Sequence, residues 1–139
     1  MHIKQHARLT KAVAPALEPG ELAQLTGRAR VTTVPTGTLG KAAAVARENS
    51  RSANRAEAFL VLTDRRLLVL ETSMMSRPTS KVRRAIPRDA LSLLRFKRGV
   101  VSTIDLALEN DEDGVRLRFP RPDRQVADEL AALFDVEPV

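Results

Sequence analysis

The sequence predicts a mainly antiparallel β fold of about seven short strands with a helix at each end, and three observations carry that reading. Residues 58 to 71 hold two aliphatic runs separated only by Thr63-Asp64-Arg65-Arg66, the pattern of a tight hairpin. Between Leu94 and Phe119 apolar and polar residues alternate with a period of two, as half-buried strands require. At the ends, Leu9, Val13 and Leu17 recur every four residues, and Val126, Leu130, Leu133 and Phe134 form a second helical stripe.

Composition sets the bounds. A chain of 139 residues fits a single domain over 1–139, large enough to bury roughly two thirds of the surface its unfolded form exposes. Hydrophobic residues at 43% and charged residues at 29% fit a globular chain. Cysteine is absent, so disulfides and thiolate chemistry are excluded. The N-terminus lacks a signal-peptide core, and no apolar stretch reaches the length of a membrane span. The expected location is the cytoplasm, with peripheral contact at a membrane left open.

Taken in order, residues 1–20 form a helical extension interrupted by Pro15 and ended by Pro19-Gly20. A first strand follows from Glu21 to Val34, with Leu25, Gly27, Ala29 and Val31 on one face and Gln24, Thr26, Arg28 and Arg30 on the other. Residues 35–56, rich in Ala, Ser, Gly and Asn, read as an inserted loop with a weak helix from Leu39 to Glu48. The hairpin comes next, and Phe59 to Leu62 and Leu67 to Leu70 are apolar on both faces, so both faces must be covered. One face fits a barrel or sandwich interior. The other needs a helix, the insertion or a second subunit.

An edge strand over Lys81 to Pro87 follows, because Pro87 cannot donate to a central ladder. Shared parity pairs Leu94 with Ile104 across a loop of Arg98, Gly99 and Val100, with Gly99 left-handed. Ile104, Leu106 and Leu108 are set against Phe119, Leu117 and Val115 across an acidic turn at 110–113, leaving Arg116 and Arg118 outward near Asp105. Residues 122–135 close the chain as an amphipathic helix opened by Pro122 and Asp123.

The net charge of +6 is concentrated. Seven basic residues and one acid lie between Lys81 and Arg98, and the rest of the chain is neutral. A solvated strand face accounts for such charge most simply, but a cluster of this kind also favours anionic partners. The residues singled out as partner-facing are Arg83, Arg84, Arg95, Lys97 and Arg98, and a second set, Lys41, Arg47, Arg51 and Arg55, marks the insertion as a recognition or self-association element.

Chemical motifs fail on inspection. His2 and His6 share a helical spacing but have no third metal ligand at a recognisable distance. The stretch from Thr36 to Lys41 resembles the end of a phosphate-binding loop, yet Pro35 replaces its glycine and Ala42 its magnesium-binding hydroxyl. Asn110 to Gly114 resembles a calcium loop, but Glu109 and Pro120 occupy key ligand positions. Glu57 and Glu71 have nothing nearby to raise a pKa for acid-base work. No nucleophile, metal site or cofactor is expected, and therefore no enzyme. Trp and Tyr are absent and the four Phe fall on apolar faces, which leaves only phosphate contact for any nucleic acid.

Several motifs taken in order resemble one family. Leu17-Glu-Pro-Gly-Glu21, then Ala58 to Leu68 with its Thr-Asp-Arg-Arg turn, then Ile86-Pro-Arg-Asp-Ala-Leu-Ser92, then Gly114 to Phe119 and a closing helix are similar to bacterial pleckstrin-homology-like domains of the YokE type, over roughly residues 16 to 136. The resemblance implies an antiparallel sheet curled into a partly open barrel, plugged at one end by the C-terminal helix. It also implies a non-catalytic binding module that recognises a protein partner or an anionic membrane surface. The alternative is a basic protein that binds a nucleic-acid backbone non-specifically. The basic motif with which phosphoinositide binders of the wider superfamily surround their first loop is replaced here by the insertion, apart from Arg28 and Arg30.

Overall fold

The structure, a computed structural model, describes residues 3–35, 57–72, 78–109 and 113–135. Helix α1 (Ile3–Val13) runs into a short 3-10 turn (Ala14–Ala16) that accommodates Pro15. Seven strands follow: β1 (Ala23–Pro35), β2 (Glu57–Thr63), β3 (Arg66–Thr72), β4 (Pro78–Pro87), β5 (Leu91–Lys97), β6 (Ser102–Leu108) and β7 (Asp113–Phe119). Helix α2 (Arg124–Leu133) ends the fold after a 3-10 turn at Arg121–Asp123. The weak helix expected at Leu39 to Glu48 lies outside the described residues.

All seven strands form one antiparallel sheet in the order β4-β3-β2-β1-β7-β6-β5. Strand β1 joins its two halves by exchanging partners: from Ala23 to Arg30 it pairs with β2, and from Arg30 to Pro35 with β7. The two outer strands, β4 and β5, remain the edges of this order, so the curled sheet is a partly open barrel with helical caps. Pro87 closes an edge strand, where a missing N–H costs no ladder bond.

The main core lies inside the curl. Ala29, Leu60, Leu62, Val69, Phe96, Ile104, Leu117 and Phe119 meet Ala127, Leu130 and Ala131 of α2 there. The helix comes close because Gly27 has no side chain; a Cβ at that position would stand 2.5 Å from Val126 Cγ1. This close seat also explains why the helical stripe differs from the expected one. Ala127 and Ala131 are buried, whereas Leu133 is 44% exposed, since small residues let the helix axis approach β1 and turn Leu133 outward.

A second, smaller core answers the question posed by the hairpin. Phe59, Val61, Leu68 and Leu70 point to the outer face and are covered by Leu9 and Val13 of α1, with Leu17 and Val82 at the margin. Burying each large aliphatic side chain in this way contributes about 2 kcal/mol.

The Thr-Asp-Arg-Arg turn locks α1 in place. Asp64 Oδ1 accepts the Leu22 N–H at 3.0 Å, and Arg65 donates to Glu18 and to the Pro19 carbonyl. Arg66 donates to the Ala16 carbonyl and to both oxygens of Glu21. Just upstream, Gly20 adopts φ 79°, a left-handed turn that favours glycine.

Two expected registers are corrected. In β5, Leu93 lies opposite Leu106 and Arg95 opposite Asp105, so Leu94 is an extra, bulged residue and is 52% exposed. The bulge makes Phe96, not Leu94, the partner of Ile104. Among the described residues the only glycine with positive φ is Gly20, so Gly99 is not left-handed; the loop from Arg98 to Val101 is long enough to turn without it. In the last hairpin Ile104 faces Leu117 and Leu106 faces Val115, two residues from the expected pairing. A shift of two preserves the buried face, so alternation alone could not distinguish the registers.

Candidate functional site

Residues directly opposite one another in adjacent strands project from the same face. Arg30 of β1 stands opposite Arg118 of β7, which stands opposite Thr103 of β6, which stands opposite Lys97 of β5. Their sequence neighbours Val31, Leu117, Ile104 and Phe96 belong to the interior core, so this row lies on the outer face. A second row on that face runs Thr32, Arg116, Asp105 and Arg95. Arg28, two residues before Arg30 on the same strand, completes a basic sheet surface that continuous sequence does not reveal.

Two pairs on this surface are neutralised. Arg116 forks onto Asp105 with Nε to Oδ1 at 2.6 Å and Nη2 to Oδ2 at 2.8 Å, and both residues are buried. That burial corrects the expectation that Arg116 points freely outward. Its strand position sets it on the outer face, but its side chain and that of Asp105 are nearly inaccessible, 6% and 0% exposed, and their charges meet in a charge-assisted fork. Arg28 forms an ion pair with Glu57. Arg30 and Lys97 remain exposed, and Arg118 is half-buried.

Where β1 exchanges partners the sheet opens a cleft of about 240 Å³, lined by Arg28, Ala29, Arg30, Glu57, Val101, Arg118 and Pro120. The notch has a local cause. Arg30 is the last residue of β1 paired with β2 and the first paired with β7, and β7 leaves the sheet at Pro120, which has no N–H to continue the ladder. Beside the cleft, the β5–β6 loop places Val100, 78% exposed, and Val101, 42% exposed, next to Lys97 and Arg98. Arg98 Nη2 reaches Asp128 Oδ2 at 3.0 Å, tying the loop to α2.

The five basic residues singled out in sequence are therefore divided. Arg95 and Lys97 lie on the outer basic face, with Arg98 at its rim. Arg83 and Arg84 belong to β4, the opposite edge in the strand order; Arg83 is the exposed residue of a bulge and Arg84 stands opposite Val69. Lys41, Arg47, Arg51 and Arg55 lie outside the described residues. The sequence reading placed Arg28, Arg30, Arg116 and Arg118 on the polar faces of their strands. It did not reveal that the first and last strands are neighbours, which brings them together.

A strongly lowered pKa among the described residues lies elsewhere and is structural. The Glu21 carboxyl is lowered to about 2, chiefly by hydrogen bonds from Arg66, against the opposing effect of burial, with help from Thr63 and the Glu18 N–H. With both oxygens engaged by the hairpin, it has no room for a reacting group. Glu57 and Glu71 each take a basic partner, Arg28 and Lys81 respectively. No helix among the described residues is long and apolar enough to cross a membrane. No family model matches the chain, and a search of curated proteins returns no match.

Proposed function

We propose that this protein is a non-catalytic, pleckstrin-homology-like binding module that docks on an anionic membrane surface through the outer face of β1, β7, β6 and β5. The observation that carries the reading is the row Arg30, Arg118, Thr103 and Lys97, set beside the exposed Val100-Val101 tip. Basic residues near an anionic bilayer contribute about 1 kcal/mol each, and an aliphatic tip between them suits insertion at the headgroup boundary. An acidic protein would satisfy the charges but would give the protruding valines no special role.

Nucleic acid fits the face less well. Phe59, Phe96 and Phe119 are buried and Phe134 is packed against the main core, so no ring is offered for base stacking. Catalysis has no support in the titratable groups, since the strongly shifted carboxylate, Glu21, is fully occupied in holding the hairpin.

Cosedimentation with vesicles tests the proposal. Recovery with vesicles containing about a third phosphatidylserine should exceed recovery with neutral phosphatidylcholine vesicles and should fall as salt screens the face. Equal recovery with both at low salt would remove the membrane reading and leave an acidic protein as the partner to seek.

A further inference from the structure

We infer that the solvent side of α1 is a second contact for anionic bilayers, on the far side of the molecule from the outer face of β1, β7, β6 and β5, so that one copy joins two anionic membranes. The inference rests on the membrane reading of that first face, and it adds an activity, the tethering of one anionic surface to another.

The opposite placement follows from the shared core. Leu60, Leu62 and Val69 of the β2–β3 hairpin meet Ile104, Leu117 and Phe119 of β6 and β7 in one interior, so the outer faces of the two halves look away from each other. Helix α1 lies on the outer face of the hairpin, with Leu9 and Val13 buried against Phe59, Val61, Leu68 and Leu70. Its solvent side is therefore turned away from Arg30, Arg118 and Lys97.

The helix brings only positive charge to that side. Lys4, Arg8 and Lys11 follow one another at spacings of four and three, a single helical stripe, and the helical repeat sets that stripe away from Leu9 and Val13. Arg8 and Lys11 are exposed, and among the described residues neither has an ion-pair partner. Neither α1 nor the strands it packs along, β4 and β1, contains an acidic residue. Glu18 and Glu21, which follow the helix, are engaged by Arg65 and Arg66, and Glu71 of the hairpin by Lys81.

An amphipathic helix at a membrane ordinarily buries its apolar side at the headgroup boundary. That side of α1 is committed to the hairpin core, so its contact with a bilayer is one of charge alone. Each basic residue is worth about fivefold in affinity, too little for one stripe to hold the protein on a vesicle. Many copies anchored on one vesicle by their outer faces present many stripes together, and the weak contacts add on a second vesicle. The tether is therefore more salt-sensitive than the anchor, which has the exposed Val100-Val101 tip as well.

Light scattering and cosedimentation of the same samples provide the test. With vesicles of about a third phosphatidylserine in phosphatidylcholine, the wild type should raise the mean particle diameter severalfold. Added salt should disperse the clusters at a concentration that leaves most of the protein bound. The triple variant Lys4→Gln, Arg8→Gln, Lys11→Gln should match the wild type in circular dichroism and in its mass in solution. It should cosediment nearly as well as the wild type and leave the vesicles dispersed.

Bound wild type with dispersed vesicles, or clustering by the variant as strong as by the wild type, overturns the inference while the membrane reading stands. A wild-type oligomer in solution that the variant lacks also overturns it, because pairing of copies would then join the vesicles. Failure of the wild type to bind anionic vesicles at all removes the membrane reading, and the tether falls with it.

Discussion

Glu21 and Arg66 form a fork across 45 residues of sequence: Nε donates to Oε2 and Nη2 to Oε1, both at 2.9 Å. Thr63 Oγ1 donates to the same carboxylate at 2.6 Å, and the Glu18 N–H at 2.9 Å. The pair fastens the segment after α1 to the hairpin turn, and the bonds it makes favour the ionised carboxylate. Glu21→Gln should therefore destabilise the protein by about 2 kcal/mol, read from urea denaturation at neutral pH.

The same fork sets an acid dependence. The folded-state pKa of Glu21 lies near 2 against 4.5 for the free group, so its stabilisation is fully present above pH 4.5 and is lost as the pH falls towards 2. Denaturation midpoints measured between pH 5 and 2 should fall more steeply for the wild type than for Glu21→Gln. Parallel curves would show that the fork carries no pH-dependent stability.

Helix α1 is the cover of a face that would otherwise be apolar and exposed. Leu9 is completely buried against the hairpin core, so Leu9→Ala should cost about 3 kcal/mol. Removing residues 1–13 should uncover Phe59, Val61, Leu68 and Leu70, and dye binding together with light scattering should report exposed apolar surface and association. A truncated chain as stable and monodisperse as the full one would contradict this role.

Gly27→Ala should cost about 1–3 kcal/mol by overpacking, because the new methyl would collide with Val126. Val126→Ala removes the colliding atoms, so the double variant should be more stable than the sum of the two single changes predicts. A double-mutant cycle by chemical denaturation checks the coupling.

Much of this architecture was legible from local pattern, and the failures have identifiable causes. The hairpin at 58–71, the edge strand ending at Pro87 and the two helices each follow from a period or a proline that acts within a few residues. The bulge at Leu94 was not legible, because the parities of Leu94 and Phe96 are equal and only the tertiary demand to bury Phe96 chooses between them. The candidate site was legible only in fragments. Arg30 and Arg118 are 88 positions apart and meet through the β1–β7 pairing, for which no turn or local spacing gives a signal. Clustering along the sequence instead drew attention to Arg83 and Arg84, which the chain carries to the other edge. Arg88 from the same cluster serves the fold, donating to Gln24 and to the Thr63 carbonyl.

The juxtaposition of Arg30 and Arg118 has a stability cost that can be measured. Arg118→Thr replaces one of two facing cations with a residue of good strand propensity, so it should stabilise the protein by about 0.5 kcal/mol at low ionic strength. The gain should shrink in high salt, which screens repulsion between the exposed Arg30 and the half-buried Arg118. Calorimetry in a phosphate-free buffer at two salt concentrations provides the comparison.

The most direct test of the account is a comparison of two charge-reversed variants in the same anionic-vesicle cosedimentation assay. One carries Arg30→Glu, Arg118→Glu and Lys97→Glu on the outer face, and the other carries Arg83→Glu and Arg84→Glu on the β4 edge. The account predicts that the first loses binding almost completely, at least a hundredfold given about 1 kcal/mol for each basic residue, while the second retains most of it. Circular dichroism should show both folded. Loss of binding in the β4 variant with retention in the outer-face variant would place the contact on the opposite edge and contradict the central claim.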